Sequence, residues 1–373
     1  MMFDSLHIQG FRAFEDLQMK GLGRVNLLVG KNNIGKTTVL EALKIRCAGT
    51  AAVWELRRLL DARQEVERDQ PAEGETQLPW NLRRIFYYKS NNAAKPSYQR
   101  FSIGPINTPE STLTLALGRA RTIEDSTGAI TRQVVEEMPG SGDEQDVYEV
   151  FILSFGDGRQ RIYALGRSFQ SRTPRPAMAE PDISVINCHY LPARGFTENE
   201  AGELWDSIVL TDLESDVLAA LQIIAPEIER ISLIESQRQS RRERLALIRR
   251  AGSQAPEPLK SMGDGMHRIF EMALSLANSK SGICLVDEIE NGVHYSVQEE
   301  LWSFIFQVSS KLQCQVFATT HSWDCIEAFQ KAASSHPAEG ALVRLYHQEQ
   351  KISAYTFDER RLEILTRESI EVR

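Results

Sequence analysis

Apolar and polar positions follow different rhythms in different parts of the chain. Residues 3–14 alternate with a period of two and turn at Gly10, which predicts a strand. Further strands are expected over 16–20 and 25–29. Residues 38–45 then carry apolar side chains at helical spacing, and 51–64 place Val53, Leu56, Leu59 and Leu60 on one helical face. Residues 65–77 are charged, with Pro71 and Gly74, and read as a loop; a short helix is expected within 79–89. From 98 to 165 the period returns to two, with strands expected over 100–103, 111–117, 130–135, 147–155 and 160–165. Turn residues such as Asp125-Ser126-Thr127-Gly128 and Asp157-Gly158 separate them, as in an antiparallel meander.

Residues 167–181 hold three prolines and little periodicity and read as a loop. A strand is expected over 183–188, then one helix over 198–224 ended by Pro226, then a hairpin of 231–234 and 245–248 about 237–242. In the last third, helices (265–279, 295–311, 323–333) alternate with strands (282–287, 314–319, 341–346), the pattern of a parallel α/β sheet. A strand over 351–356 and a short helix over 359–366 complete the pattern.

Composition adds limits. The longest apolar runs fall far short of a membrane span. The five cysteines are scattered, odd in number and form no C-x-x-C, so neither a zinc knuckle nor a disulfide framework is indicated, and a cytoplasmic location is expected. A formal net charge of -8 gives no global attraction for nucleic acid. One local basic run, Arg238, Arg241, Arg242, Arg244, Arg249 and Arg250, surrounds the hairpin and is the candidate for phosphate contacts. No aromatic residue interleaves with it to stack bases, so a solvated hairpin or an acidic partner competes with that reading.

The chemistry gathers around Gly30-Lys31-Asn32-Asn33-Ile34-Gly35-Lys36-Thr37, which fits G-x-x-x-x-G-K-[ST] between an expected strand and an expected helix beginning near Thr38. Backbone N–H groups of such a loop and the helix N-terminus form an anion site. Lys36 adds charge for the β- and γ-phosphates, and Thr37 offers a hydroxyl to Mg²⁺. The apolar run Ile283-Cys284-Leu285-Val286 ends in Asp287-Glu288, at the carboxyl end of a strand where ligand sites form. Asp287 is the candidate for the metal and Glu288 for the attacking water. Thr319-Thr320-His321-Ser322 ends the next strand and offers His321 to a γ-phosphate. Ser261-Met262-Gly263-Asp264-Gly265 precedes a helix, and the polar turn Glu290-Asn291-Gly292-Val293-His294-Tyr295 follows the acids.

In their order, these motifs resemble the ABC-type ATPases, and within them the RecF, SMC and OLD-related branch of stand-alone AAA family ATP-binding proteins. Leu6-His7-Ile8-Gln9-Gly10-Phe11-Arg12 ahead of the phosphate loop, the Ser261–Gly265 segment in place of the transporter signature, Asp287 to His294, and Thr319 to Ser322 carry the resemblance. It implies a single α/β head with a mixed central sheet, an antiparallel β insertion and a helical insertion. The expected parts are an N-terminal lobe (1–95), a β-rich insertion (96–188), a helical and hairpin insertion (196–258) and a signature lobe (259–373).

It also implies that ATP and Mg²⁺ are bound and that two heads sandwich two nucleotides. Gly30 to Thr38 would hold phosphates, Thr37 and Asp287 the metal, Glu288 the water and His321 the γ-phosphate. Ser261 and Gly263 would close from the opposite subunit. Gln99, with Gln77 as a rival, is the candidate for the family's Q-loop glutamine, and Arg194 is read as a salt-bridging residue more readily than as a nucleotide contact. Only 52 residues follow His321, too few for the TOPRIM nuclease domain of many OLD-type relatives, and no long heptads build an SMC arm. The resemblance therefore implies a homodimeric regulatory ATPase acting on a separate protein effector, as in multi-component antiphage modules, with a RecF-like DNA ATPase as the alternative.

Overall fold

The computed structural model describes residues 2–65, 82–87, 100–124, 130–135, 147–165, 185–238, 241–253 and 255–357. Gln77, Gln99, the 125–128 turn, the 167–181 loop and the 359–366 helix lie outside them.

Two sheets organise the chain. The central six-stranded sheet runs β16-β15-β3-β14-β13-β9, where β3 is Val25–Val29, β9 Cys188–Leu191, β13 Ile283–Val286, β14 Gln315–Thr319, β15 Gly340–Gln348 and β16 Lys351–Phe357. All pairs are parallel except β15 with β16. The strands β3, β13 and β14 are buried along their whole length, which explains why their sequences run apolar without alternation. Successive residues still face opposite layers. Leu27, Val286 and Val316 join one core with helices α5 (Asp264–Asn278), α6 (Gln298–Leu312) and α7 (Trp323–Ser334). Leu28, Leu285 and Phe317 join the other, with α1 (Lys36–Cys47) and α2 (Ala52–Ala62).

The second sheet is antiparallel. It begins with the hairpin β1 (Ser5–Phe11) and β2 (Phe14–Lys20), and β1 pairs on its other edge with β4 (Arg100–Gly104). From there β5 (Leu113–Glu124), β7 (Val147–Phe155) and β8 (Gln160–Ala164) extend it, with β6 (Ile130–Val135) on the outer half of β5. The β-rich segment thus continues the N-terminal hairpin's sheet.

Three expectations are corrected. The strand expected over 183–188 is Cys188–Leu191, because Leu191 pairs with Val286 and is fully buried, whereas Val185 is half exposed. The segment His189-Tyr190-Leu191 therefore belongs to the central sheet, and Pro192 to Gly195 forms the turn at its carboxyl edge. The helix expected over 198–224 is two helices, α3 (Glu198–Asp206) and α4 (Asp212–Gln222). Leu210 takes a left-handed φ of 64° and the Thr211 hydroxyl caps α4 by accepting from the Leu213 N–H, so the cap competes with continuation of the helix. The hairpin is longer than expected: β10 (Ile228–Arg238) and β11 (Arg241–Arg250) stay paired to Arg238 opposite Arg241.

Gln315 ties the chain's start to the central sheet. Its side chain is fully buried. It accepts from the Phe3 N–H at 2.8 Å and donates to the carbonyls of Phe3 at 2.8 Å and Gly23 at 2.7 Å. Gln315→Leu keeps the volume but strands three main-chain groups, and is expected to lower unfolding free energy by about 2–4 kcal/mol in urea titrations followed by circular dichroism.

Candidate functional site

The loop after β3 wraps at the carboxyl edge of the central sheet, where β13 and β14 also end. Its shape requires its glycines. Gly35 has φ 101°, and a Cβ there would lie 2.8 Å from the Phe14 ring; Gly30 has φ 145°, with the Leu345 carbonyl 2.6 Å from a Cβ. Asn33 also takes a left-handed φ, 63°, a conformation asparagine tolerates. Lys31, Asn32 and Asn33 are exposed at the rim, while Ile34 and Thr38 are buried and anchor the loop. Lys36 opens α1, and its Nζ donates to the Gly30 carbonyl at 2.8 Å and that of Lys31 at 3.3 Å. Burial lowers the Lys36 pKa, opposed by Glu290, Glu288 and Asp287, so an incoming phosphate meets a partly desolvated cation.

Asp287 is the junction. Thr37 Oγ1 lies 3.0 and 3.1 Å from its two carboxylate oxygens, and Thr319 Oγ1 donates to Oδ1 at 2.7 Å. The Tyr190 hydroxyl approaches Oδ2 at 3.5 Å. Burial first, and then Asp287, raise the Tyr190 pKa, so this phenol stays a donor. The Thr37 and Asp287 oxygens form the hard-donor pair that suits Mg²⁺ shared with substrate phosphates, and no cluster of three metal-binding side chains occurs among the described residues.

Glu288 follows with φ 48°, a strained conformation for a residue with a side chain. Its surroundings hold it there. Its N–H donates to Thr319 Oγ1 at 2.8 Å, and Asn291 Nδ2 donates to its Oε2 at 2.8 Å. Beneath the loop, the buried Arg268 donates to the carbonyls of Asp287 (2.6 Å), Glu288 (3.2 Å) and Pro192 (2.9 Å). Glu271, also buried, lies 3.6 Å from that guanidinium and accepts from the Phe196 N–H at 2.6 Å. His321 lies two residues beyond β14 and is held by Glu290, whose Oε1 accepts from the His321 N–H at 2.9 Å and lies 3.0 Å from Nδ1.

The sheet edge therefore brings together Gly30 to Thr38, Asp287, Glu288 and His321. Ser261 and Gly263 stand apart from that cluster. Ser261 sits in a 3₁₀ turn, Leu259–Met262, exposed and donating to its own turn at the Pro258 carbonyl, 2.6 Å away. Gly263 has φ 96° and open space beside it. The same segment touches the loop after the acids: a Cβ on Gly265 would lie 2.6 Å from the Gly292 carbonyl. The salt bridge expected for Arg194 is absent; the side chain is exposed and makes no ion pair among the described residues, because its turn is held through backbone carbonyls. The basic run is also less free than its sequence implied. Arg244 pairs with Asp206 at 2.5 and 2.8 Å, Arg249 with Glu229 at 3.1 Å, and Arg250 with Glu257 at 2.5 Å.

Sequence reading assigned no role to Arg268, Glu271, Thr319 or Glu290. The signal for the first two was a charged pair three residues apart on an otherwise apolar helix. For Thr319 it was a hydroxyl closing an apolar strand.

The fold is that of an ABC-type P-loop ATPase head. The profile of the AAA ATPase domain family matches residues 1–48 and 198–326, which include the phosphate loop, Asp287, Glu288 and His321, and supports ATP binding and hydrolysis here. An uncharacterized protein of Methanocaldococcus jannaschii is 41% identical over 44 residues, 12% of this chain and 20% of that protein, so the match spans about a fifth of the relative. Among solved structures, an SMC head bound to the C-winged helix domain of ScpA aligns with a TM-score of 0.50 at 13% identity, covering 96% of this chain and 98% of that one. An SMC head with an extended coiled coil, bound to the C-terminal domain of ScpA derived from Pyrococcus furiosus, aligns with a TM-score of 0.49 at 12% identity, covering 99% of both chains. The first establishes an SMC-head-like fold. No helix among the described residues is long and apolar enough to cross a membrane.

Thr319→Val keeps the shape but removes the hydroxyl that both restrains Asp287 and receives the Glu288 N–H. It is expected to lower Mg²⁺-dependent phosphate release by roughly 10–100-fold, with nucleotide affinity in EDTA unchanged, measured by released phosphate and by fluorescent-nucleotide titration.

Proposed function

We propose that this protein is a Mg²⁺-dependent ATPase whose two copies close on nucleotide and open after hydrolysis, transmitting that motion to a separate protein. The observation that carries the reading is the Thr37–Asp287 contact, which sets a hydroxyl and a carboxylate from distant parts of the chain beside the phosphate loop. Lys36 and the loop amides bind the β- and γ-phosphates, and Thr37 and Asp287 hold Mg²⁺. When bound, that ion offsets charge on the transferring phosphoryl group. Glu288 orients and deprotonates the attacking water, and His321 engages the γ-phosphate. Ser261 and Gly263, exposed and turned to their own helix start, supply the missing donors from a second copy. Closure then depends on the γ-phosphate, and its loss releases the pair.

The motion has a protein recipient in this reading. The two aligned SMC heads are each described in complex with a part of ScpA, which by analogy supports a protein partner here. A regulatory ATPase with a separate effector, of the kind found in antiphage modules, is the form proposed. The OLD-related branch is the proposed affinity. The second reading, a RecF-like ATPase that contacts DNA itself, rests on the tip of the hairpin. With Arg244 neutralised by Asp206, it depends on Arg238, Arg241 and Arg242.

Glu288→Gln is expected to reduce phosphate release by roughly 100–1,000-fold while leaving ATP bound. Sedimentation should then show a dimer with ATP and a monomer with ADP. Wild-type turnover in the variant would remove the assignment of Glu288. Ser261→Arg, at an exposed position, should abolish the ATP-induced dimer without changing nucleotide affinity of the single chain. For the DNA reading, duplex DNA should stimulate hydrolysis, and Arg241→Ala with Arg242→Ala should remove that stimulation; no effect of DNA on the wild type rejects it.

A further inference from the structure

We infer that Glu290 is the positioning residue for His321, fixing the imidazole so that Nε2 meets the terminal phosphate of a bound nucleoside triphosphate. This rests on the ATPase reading above and adds a residue to it.

The geometry is a two-point clamp. One oxygen, Glu290 Oε1, faces both the main-chain N–H of His321 at 2.9 Å and its Nδ1 at 3.0 Å. Backbone and ring are thereby held by the same atom. The His321 side chain is 49% exposed, and a half-exposed histidine at a strand end otherwise samples several rotamers. With Nδ1 engaged, Nε2 is the ring nitrogen left for a ligand.

The clamp is costly to the fold. The Glu290 side chain is only 9% exposed, and its second oxygen, Oε2, is buried without a hydrogen-bond partner among the described residues. A carboxylate placed for stability alone would have both oxygens satisfied. Here its hydrogen-bond contacts go to His321, and its charge lies within the field of the phosphate-loop lysine: Glu290 is the largest of three acidic influences on Lys36, ahead of Glu288 and Asp287. The acid thus stands beside the phosphate site without pointing a bonded group into it. Donation from both ring nitrogens at once, Nδ1 to Glu290 and Nε2 to the phosphate, requires the imidazolium form.

The test is a double-variant cycle read two ways: turnover at saturating ATP, and the ratio of ATPγS to ADP affinity in the full chain. Glu290→Ala and His321→Ala should each cut turnover and narrow the ATPγS-over-ADP preference by roughly tenfold, and the double variant should be no worse than either single one. ADP affinity should not move. Glu290→Gln keeps an oxygen for Nδ1 and should recover most of the preference; Glu290→Asp, one methylene short, should not. These two conservative variants also decide the matter if Glu290→Ala melts early. Wild-type behaviour of Glu290→Asp, or losses that multiply in the double variant, would overturn the inference while leaving the ATPase reading intact. A wild type that neither prefers ATPγS over ADP nor releases phosphate would overturn both.

Discussion

The site depends on one buried carboxylate. Asp287 is 6% exposed and receives hydroxyls from Thr37 and Thr319, while the Tyr190 hydroxyl approaches at 3.5 Å. These partners come from the first turn of α1 and from β14 and β9, the strands that flank β13. A buried carboxylate is tolerable only when its lone pairs are occupied. Any slip in strand register would therefore leave Asp287 unsatisfied, and the central sheet and the site stabilise each other. The parallel pairing of Cys284 with Val316, and of Val316 with Val25, sets that register three residues ahead of Asp287.

A second constraint lies below the loop. Glu288 holds a left-handed backbone that a glutamate adopts only under restraint. Arg268 supplies much of that restraint by forking onto three carbonyls across two loops. Lysine could not do this, since a point charge on a flexible stem lacks the planar spread of donors. The guanidinium is itself buried, which lowers its pKa, and Glu271 is the largest influence opposing that shift. Such a pair adds little net stability compared with apolar packing, but losing one partner leaves an uncompensated charge. Its use here is geometric: it ties α5, which starts immediately after Gly263, to the loop of Asp287 and Glu288.

Legibility in the sequence followed contact range. The phosphate loop was readable because Gly30, Gly35, Lys36 and Thr37 act through local backbone shape. That Asp287 and His321 lie at one sheet edge was readable because each follows an apolar strand. The register of β9 was not, since 183–188 and 188–191 are both strand-like and only pairing with β13 separates them. The break at Leu210 was hidden because apolar residues continue at helical spacing through the Thr211 cap. Arg268, Glu271 and Glu290 act across folded distance, and no spacing along the chain announces a carbonyl 19 residues away. The pairing within the basic run was hidden for the same reason: Asp206 lies 38 residues from Arg244.

These ties also decide how motion can leave the site. Gly292 sits four residues after Glu288, and its carbonyl packs on Gly265, where a Cβ at 2.6 Å would force the segments apart. The first turn of α5 is thus fastened twice, by Arg268 to the acidic loop and by Gly265 to the turn that follows it. A shift at Glu288 or in the turn that follows it would reach the start of α5 through these two contacts. The exposed turn Leu259–Met262 leads directly into the helix that these contacts fasten to the Glu288 loop. In a pair of heads, each chain would report its own nucleotide state on the surface that completes its neighbour's site.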